Sequence, residues 1–338
     1  MNRNKYIQSV LPSLNSKKYP RPLFPKKEDL EKALKKKGLN ILLQEPLKGG
    51  FFSKVYSAKL DNKLTVVKYI DTIIPFDPTE FFISRDQSKT DLQVLKLLQN
   101  SKNIKVPKII KSFPEIHCVI LEDMRENNFV LLNDLILNKK LTLNSASEIG
   151  KSLAYLTKES RNFKQFETNE SAEQSIYERG LELRLAYPNS QSQYLFLEKE
   201  FTTNNKYFVW PDGHPKNIFI NKKDECAFID FGRSHWGDQR YMLPNFLAHI
   251  IIYCLAGYIE KDLAKNYILQ CVDTSKQIIP IDENIFCQYL AMEVLHRARG
   301  KWISGIKTKE QKLTLYKFGL TVFDNKIDSV NKLLQLLS

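Results

Sequence analysis

Asp212, Asn217 and Asp230 fall in one short stretch, YFVWPDGHPKNIFINKKDECAFIDFG (207–232), and their types and spacing suit one kind of chemistry. Two apolar runs, 217–220 and 227–229, flank the polar Asn221-Lys222-Lys223-Asp224, which reads as a hairpin turn. Such a hairpin brings Asn217 and Asp230 to the same end of two neighbouring strands, with Asp212 on the loop leading in. An amide oxygen and a carboxylate suit Mg²⁺, which takes one or two carboxylates and completes its shell with phosphate oxygens and water. A further carboxylate just outside that shell is placed to accept a proton from an attacking hydroxyl. Metal, orienting base and little covalent work by the protein are the needs of phosphoryl transfer. Read without that chemistry, the stretch is an Asp/Asn loop before an ordinary hairpin.

The segment Trp210-Pro211-Asp212-Gly213-His214-Pro215-Lys216-Asn217 resembles the His-Gly-Asp-x-His-Pro-x-Asn loop of a phosphotransferase family. That family includes aminoglycoside phosphotransferases, choline kinases and methylthioribose kinases. Asp, His, Pro and Asn match in place, whereas Trp210-Pro211 replaces the leading His-Gly. The Asp230-Phe231-Gly232 triplet follows at the matching distance. A protein kinase more often carries Lys at the His214 position, so the resemblance favours small-molecule kinases. It implies a bilobal, protein-kinase-like α+β fold with a small antiparallel β lobe and a larger helical lobe. It also implies ATP and Mg²⁺ as cofactors, Asp212 as catalytic base, and Asn217 and Asp230 as metal ligands. His214 reads as structural, its ring bracing the Asp212 backbone.

Upstream, 41–47, 52–60 and 64–70 are short, rich in β-branched and aromatic residues, and separated by Gly49-Gly50 and Asp61-Asn62, which predicts strands. Two glycines in a strand–loop–strand turn let backbone N–H groups approach phosphate oxygens, although a Gly-Gly hairpin is also an ordinary turn. Lys68 ends the apolar Val66-Val67-Lys68, where an ammonium needs an anionic partner or a route to water. It resembles the kinase lysine on the third strand; the plain alternative is an outward-facing lysine on a half-exposed strand. The resemblance then implies that Lys68 holds the α/β-phosphates and that Gly49, Gly50 and Ser53 cover them. It demands a following helix with an acid to pair Lys68. The span 86–99 fits, with Leu92, Leu95 and Leu98 as a stripe and Asp91 on the same face. The family usually has Glu there; Asp is one methylene shorter, so the helix must sit closer or the pair must be looser. Glu80 is the alternative acid. Strands are expected at 108–112 and 117–122, the second running into Glu122-Asp123-Met124. In the resembling family this is the hinge, whose backbone at Glu122 and Met124 binds the adenine edge.

Beyond the hinge the spacing turns helical, at 129–137 and at 143–160 with Asn144 or Ser145 as cap. Helices are also expected at 175–185, 192–201 and 244–258, the last preceded by a Gly237-Asp238 that resembles the family's helix-opening pair. His296, Arg297, Arg299 and Lys301 crowd a late helix against one acid, Glu293. The expected acceptor is therefore a hydroxyl on a neutral or anionic small molecule, since a polycationic acceptor needs carboxylates around it, unless these basic residues lie on the solvated back of the helix.

Composition narrows the remaining classes. Hydrophobic content of 43% and charge of 26% are those of a globular protein. No apolar run reaches the ~18 residues of a membrane helix; the nearest, 246–259, contains His249. Five cysteines without Cys-x-x-Cys spacing read as reduced, buried and structural. The N-terminus has no apolar signal segment, and together these point to the cytoplasm. Of the net charge of +13, residues 1–40 carry +8 and the other 298 residues only +5. A basic arm of this kind reads as a solvated tail in a Lys- and Asn-rich chain; nucleic-acid binding through it is the rival reading.

The sequence thus divides into a basic arm and helix (1–39), a nucleotide-binding β lobe (40–124) and a helical lobe (125–338). It predicts a kinase using Mg²⁺-ATP to phosphorylate a small-molecule hydroxyl. The replaced His-Gly and the Asp-for-Glu exchange keep a kinase-like pseudoenzyme as an alternative, and a protein kinase is a second.

Overall fold

The computed structural model describes residues 26–47, 53–70, 86–163, 191–203, 207–299 and 306–337. The glycines Gly49 and Gly50, the alternative acid Glu80, the helix expected at 175–185, the arm 1–25 and Lys301 lie outside the described residues. The chain divides into two compact units, Met1–Asn100 with Pro107–Asn127, and Ser101–Val106 with Asn128–Ser338.

In the first unit, helix α1 (Lys27–Lys36) carries Glu28 and Asp29 in its first turn and Lys35 and Lys36 in its last. That polarity complements the helix dipole, and Gly38 leaves the helix at φ +80°. Strands β1 (Ile41–Pro46), β2 (Ser53–Leu60) and β3 (Lys63–Ile70) follow. Helix α2 (Asp86–Leu98) precedes β4 (Ile109–Phe113) and β5 (Cys118–Glu122). The strands form one antiparallel sheet in the order β1-β2-β3-β5-β4. Asp61 and Asn62 close the β2–β3 hairpin with φ of 49° and 66°, the left-handed pair that a two-residue turn requires. Alternation sorts the side chains: Tyr56, Ala58, Val67, Tyr69 and Ile120 join Leu30 and Leu34 of α1 in one core. Lys68, between Val67 and Tyr69, must therefore point to the opposite face.

The second unit begins with β6 (Val130–Leu131), α3 (Leu132–Leu137), α4 (Asn144–Glu159) and α5 (Gln191–Thr203). Strands β7 (Tyr207–Val209), β8 (Ile218–Ile220), β9 (Cys226–Phe228) and β10 (His235–Gly237) come next. Helices α6 (Met242–Leu255), α7 (Lys261–Lys276), α8 (Glu283–Arg299), α9 (Lys309–Asp324) and α10 (Val330–Gln335) complete it. The strands make a β6-β8-β9 sheet and a β10-β7 pair. Residues 101–106 belong here because Lys105 bridges Ala227 and its carbonyl accepts the Phe228 N–H at 2.9 Å. No helix among the described residues is long and apolar enough to cross a membrane.

Two local expectations are corrected. The helix expected from 129 starts at Leu132, because Val130 and Leu131 pair as a strand with Ile220 and Phe219. Neither Asn144 nor Ser145 caps α4 through its side chain; the Ser145 hydroxyl lies 2.9 Å from the Tyr267 hydroxyl and donates to the Thr142 carbonyl. All five cysteines are free and buried, and burial pushes the Cys118, Cys226 and Cys287 thiols up to about 12. They are inert thiols at neutral pH.

Candidate active site

The β8–β9 hairpin sets the first part of the site. Asn221 Oδ1 accepts the N–H groups of Lys223 and Glu225, and Asp224 takes φ 63°, so the polar tetrapeptide folds as a side-chain-bonded turn. Ile218 then pairs with Phe228, and the Ile229 N–H donates to the Asn217 carbonyl at 3.0 Å. Asn217 consequently stands beside the residue preceding Asp230.

The loop before β8 is irregular but tied. The Asp212 carbonyl accepts the His214 N–H at 2.8 Å and the Asn217 Nδ2 at 3.0 Å. With its amide nitrogen engaged, Asn217 has Oδ1 as its remaining acceptor, the hard oxygen that Mg²⁺ prefers. The preceding carbonyl, of Pro211, accepts Asn245 Nδ2 of α6 at 2.8 Å. Asn245 in turn lies 3.1 Å from the Tyr241 hydroxyl, which is 2.6 Å from Glu293 Oε2. The phenol has one proton for these two acceptors, and the shorter contact to the carboxylate is the stronger. Arg297 Nε closes the chain by donating to Glu293 Oε1 at 2.6 Å.

Asp230 adopts φ 64°, a left-handed conformation that costs a residue with a side chain about 1–3 kcal/mol. Its carbonyl accepts the Trp210 indole N–H at 3.0 Å. Trp210 is fully buried and lies 5.1 Å, ring to ring, from both Phe228 and Phe231. A hydrogen bond of about 1 kcal/mol and two aromatic contacts of about 0.5–1.5 kcal/mol each are enough to offset that strain. Arg233, itself buried, brings Nη1 to 3.6 Å from Asp212 Oδ1.

One expectation about His214 needs correcting. Its backbone N–H, not its ring, braces Asp212; the ring packs edge-on against His249 at 5.6 Å. Its Nδ1 is buried without a hydrogen-bond partner. Burial drives its pKa down to about 4, against an upward pull from Asp212 and Asp230 and with a further push down from Arg297 and Lys216. The ring is neutral at physiological pH and is no proton donor there.

In the first unit, Lys68 Nζ donates to Asp91 Oδ2 at 2.8 Å, with both side chains buried. That is an ordinary charge-assisted length, so α2 sits near enough to β3 for the shorter acid. Ser53 opens β2 opposite Ile70 and is buried. Glu122 ends β5, its carboxylate accepting the Lys108 N–H and Asn127 Nδ2. Met124, buried, opens the 3-10 turn Met124–Asn127, and Arg125 donates through Nε to Asp123 Oδ1 at 2.8 Å. Lys68 and Asp91 are thus brought together in one unit, and Asp212, Asn217 and Asp230 in the other.

Arg233, Asn245, Tyr241 and Trp210 were not singled out as site residues by their sequence. A polar Asn in the apolar run of α6 was a usable signal for Asn245, and an Arg straight after Asp-Phe-Gly for Arg233. Nothing local marked Tyr241 or Glu293. The late basic helix is also less cationic than it reads, because Arg297 is ion-paired with the fully buried Glu293 and His296 is buried.

The donor set, one carboxylate and one amide oxygen, fits a hard divalent cation that takes its remaining oxygens from phosphate and water. Among the described residues no three His, Cys, Asp or Glu side chains converge as a self-sufficient metal cage. A donor set of this composition would hold a metal only in company with further oxygen ligands such as those of a phosphate.

No protein-family model matches the sequence, and comparison with curated proteins finds no match. Solved structures do match. An ethanolamine kinase from Plasmodium vivax superposes with a TM-score of 0.52 at 14% identity, over 96% of this chain and 96% of that one. An aminoglycoside phosphotransferase from Alicyclobacillus acidocaldarius gives 0.54 at 10% identity, over 95% and 98%. The fold is that of the kinase-like phosphotransferases. Within this kinase-like fold, the small antiparallel sheet carries Lys68, helix α2 beside it carries Asp91, and the helical part carries the Asp212 loop.

Two outcomes follow from these electrostatics. Lys68→Met leaves the Asp91 carboxylate without its ammonium and should destabilise the protein by about 3–5 kcal/mol, whereas Lys68→Met with Asp91→Leu should recover most of that loss. Urea unfolding of both variants checks this, and a fully stable single variant contradicts it. For His214 the folded pKa lies below the ordinary value of 6.5. The unfolded chain then binds more protons, so stability is intact above pH 6.5 and falls as pH drops towards 4, by roughly 3 kcal/mol in all. His214→Gln should flatten the unfolding free energy over that interval; parallel pH profiles would contradict the assignment.

Proposed function

We propose that the protein is an ATP-dependent kinase that phosphorylates a hydroxyl group of a small molecule. The observation that carries this reading is the tied loop: Asn217 and the His214 N–H hold the Asp212 carbonyl, and the hairpin register sets Asn217 next to Asp230. In this reading Asp212 accepts the proton of the acceptor hydroxyl and orients it for in-line attack. Arg233, 3.6 Å away, lies beside that carboxylate and helps to orient it. Asn217 and Asp230 would hold Mg²⁺, which when bound neutralises charge developing on the phosphate oxygens. Lys68, fixed by Asp91, would pair with the α/β-phosphates, Ser53 with Gly49 and Gly50 would cover them, and the Glu122–Met124 backbone would take the adenine edge. His214 packs and positions; being neutral, it does not shuttle protons.

The fold relatives are named for amine-bearing acceptors, ethanolamine and aminoglycosides. Charge near the Asp212 loop points elsewhere in this chain. Burial and the Arg297 charge both lower the Lys216 pKa, with Asp134 opposing, and Arg233 adds a second cation at the base. A polycation would meet these ammonium and guanidinium groups, and each of its own charges would need a carboxylate to pair it. The acceptor in this reading is neutral or anionic, such as a sugar-like alcohol.

Asp212→Asn, which keeps an acceptor beside Arg233, should leave ATP binding intact and slow transfer by about 10²–10⁴-fold. Asp230→Ala should abolish turnover. Wild-type transfer by the Asp212 variant would remove it as the base and leave a nucleotide-binding pseudoenzyme as the better reading. Competition assays test the acceptor: neutral sugars or phosphorylated alcohols should be phosphorylated in preference to an aminoglycoside. Efficient use of the polycation with the others ignored would overturn the charge argument.

A further inference from the structure

We infer that Trp210 is the positioning residue for the Asp230 carboxylate, and that Gly213 is what allows an indole to stand at that place. The inference rests on reading Asp230 as a metal ligand, and it adds a residue to that site. The carbonyl that Trp210 Nε1 holds at 3.0 Å belongs to Asp230 itself. That oxygen lies in the peptide plane between Asp230 and Phe231, so the bond fixes the backbone angle that aims the acid. The next residue is fixed by the same ring, because Phe231 packs on the indole at 5.1 Å. Phe228, at the end of β9, packs on it from the hairpin side at the same separation. Asp230 has φ 64°, so without these contacts its backbone relaxes towards the ordinary β or helical regions and swings the carboxylate away.

Gly213 supplies the second observation. A Cβ on Gly213 would stand 3.3 Å from Trp210 Cε3, slightly tighter than ordinary packing, and 3.5 Å from Cζ3, in van der Waals contact. The loop that carries Asp212 therefore approaches the indole at closest range through a residue with no side chain. Trp210 touches the base-bearing loop on one edge and bonds the metal-bearing residue through its N–H. It couples the placement of Asp212 to that of Asp230.

Trp210→Phe tests this, since it keeps an aromatic ring and removes the N–H. The probe is Mn²⁺, followed by electron paramagnetic resonance with saturating ATP, alongside ATP binding without metal and the thermal midpoint. Mn²⁺ affinity should fall at least about tenfold, as for other groups that orient a metal ligand, while metal-free ATP binding is unchanged. Gly213→Leu should lower Mn²⁺ affinity in the wild-type background but add little to Trp210→Phe, since the smaller ring leaves space. Unchanged Mn²⁺ affinity in Trp210→Phe, or equal losses with and without metal, would overturn the inference alone. Absence of ATP-dependent Mn²⁺ binding in the wild-type chain would overturn the metal reading of Asp230 as well. Should Trp210→Phe not fold, the wild-type protein labelled with ¹⁵N at its three tryptophans gives the answer, with Trp236→Phe and Trp302→Phe assigning the signals. The Trp210 indole resonance should shift when Mg²⁺ is added to the ATP complex; no shift at saturation overturns the inference.

Discussion

Three problems of backbone satisfaction, at Pro211, Asp212 and Asp230, shape the second unit. The carbonyls of Pro211, Asp212 and Asp230 lie outside regular helix and strand pairing in a largely buried region, that of Asp212 taking one backbone donor, the His214 N–H. A buried carbonyl left without a partner costs about 1–3 kcal/mol, so each has acquired a side-chain donor: Asn245, Asn217 and Trp210. Those three donors come from α6, from the turn before β8 and from the end of β7. The irregular loop that carries Asp212 is thereby pinned from three directions. Precision there comes from polar satisfaction, with packing as support.

Charge obeys the same rule. Glu293 is fully buried on α8, which is tolerable because Arg297 and Tyr241 both meet it. Asp238 is buried and receives Arg240, the Tyr289 hydroxyl and the Arg240 N–H. In the first unit Lys68 and Asp91 are buried together. Such pairs gain little net stability against apolar replacements; what they fix is the position of the element that carries them. α8 is tied to the Asp212 loop through Glu293, Tyr241 and Asn245, and α2 to β3 through Asp91. The elements bearing the proposed chemistry are those held by directional bonds.

The alternating strands of the first sheet, the helix over 86–98 and the β8–β9 hairpin were legible in sequence because their periodicity and turn residues are local properties. Lys68 was legible for the same reason: an ammonium in an apolar strand announces a partner. Its acid, Asp91, was named because the resemblance called for an acid on the next helix, with Glu80 as the alternative, and only the tertiary structure decided that the shorter side chain reaches. The strand at Val130–Leu131 was not legible, since its pairing partner lies at 219–220 and no local pattern records it.

The sequence by itself determined which groups are present: a carboxylate, an amide and a carboxylate spaced around a hairpin, and a lysine on an apolar strand. Hairpin register is a consequence of turn chemistry, so even the approach of Asn217 to Asp230 was implicit in it. Only the tertiary structure decided how those groups are aimed. Asp230 turns left-handed under the Trp210 indole, Arg233 closes on Asp212, and the His214 ring withdraws beside His249. Each depends on contacts between residues far apart in the chain or on a backbone angle that no residue type dictates. The physical reason is that composition and spacing specify donors and acceptors, whereas burial decides which of them must find each other.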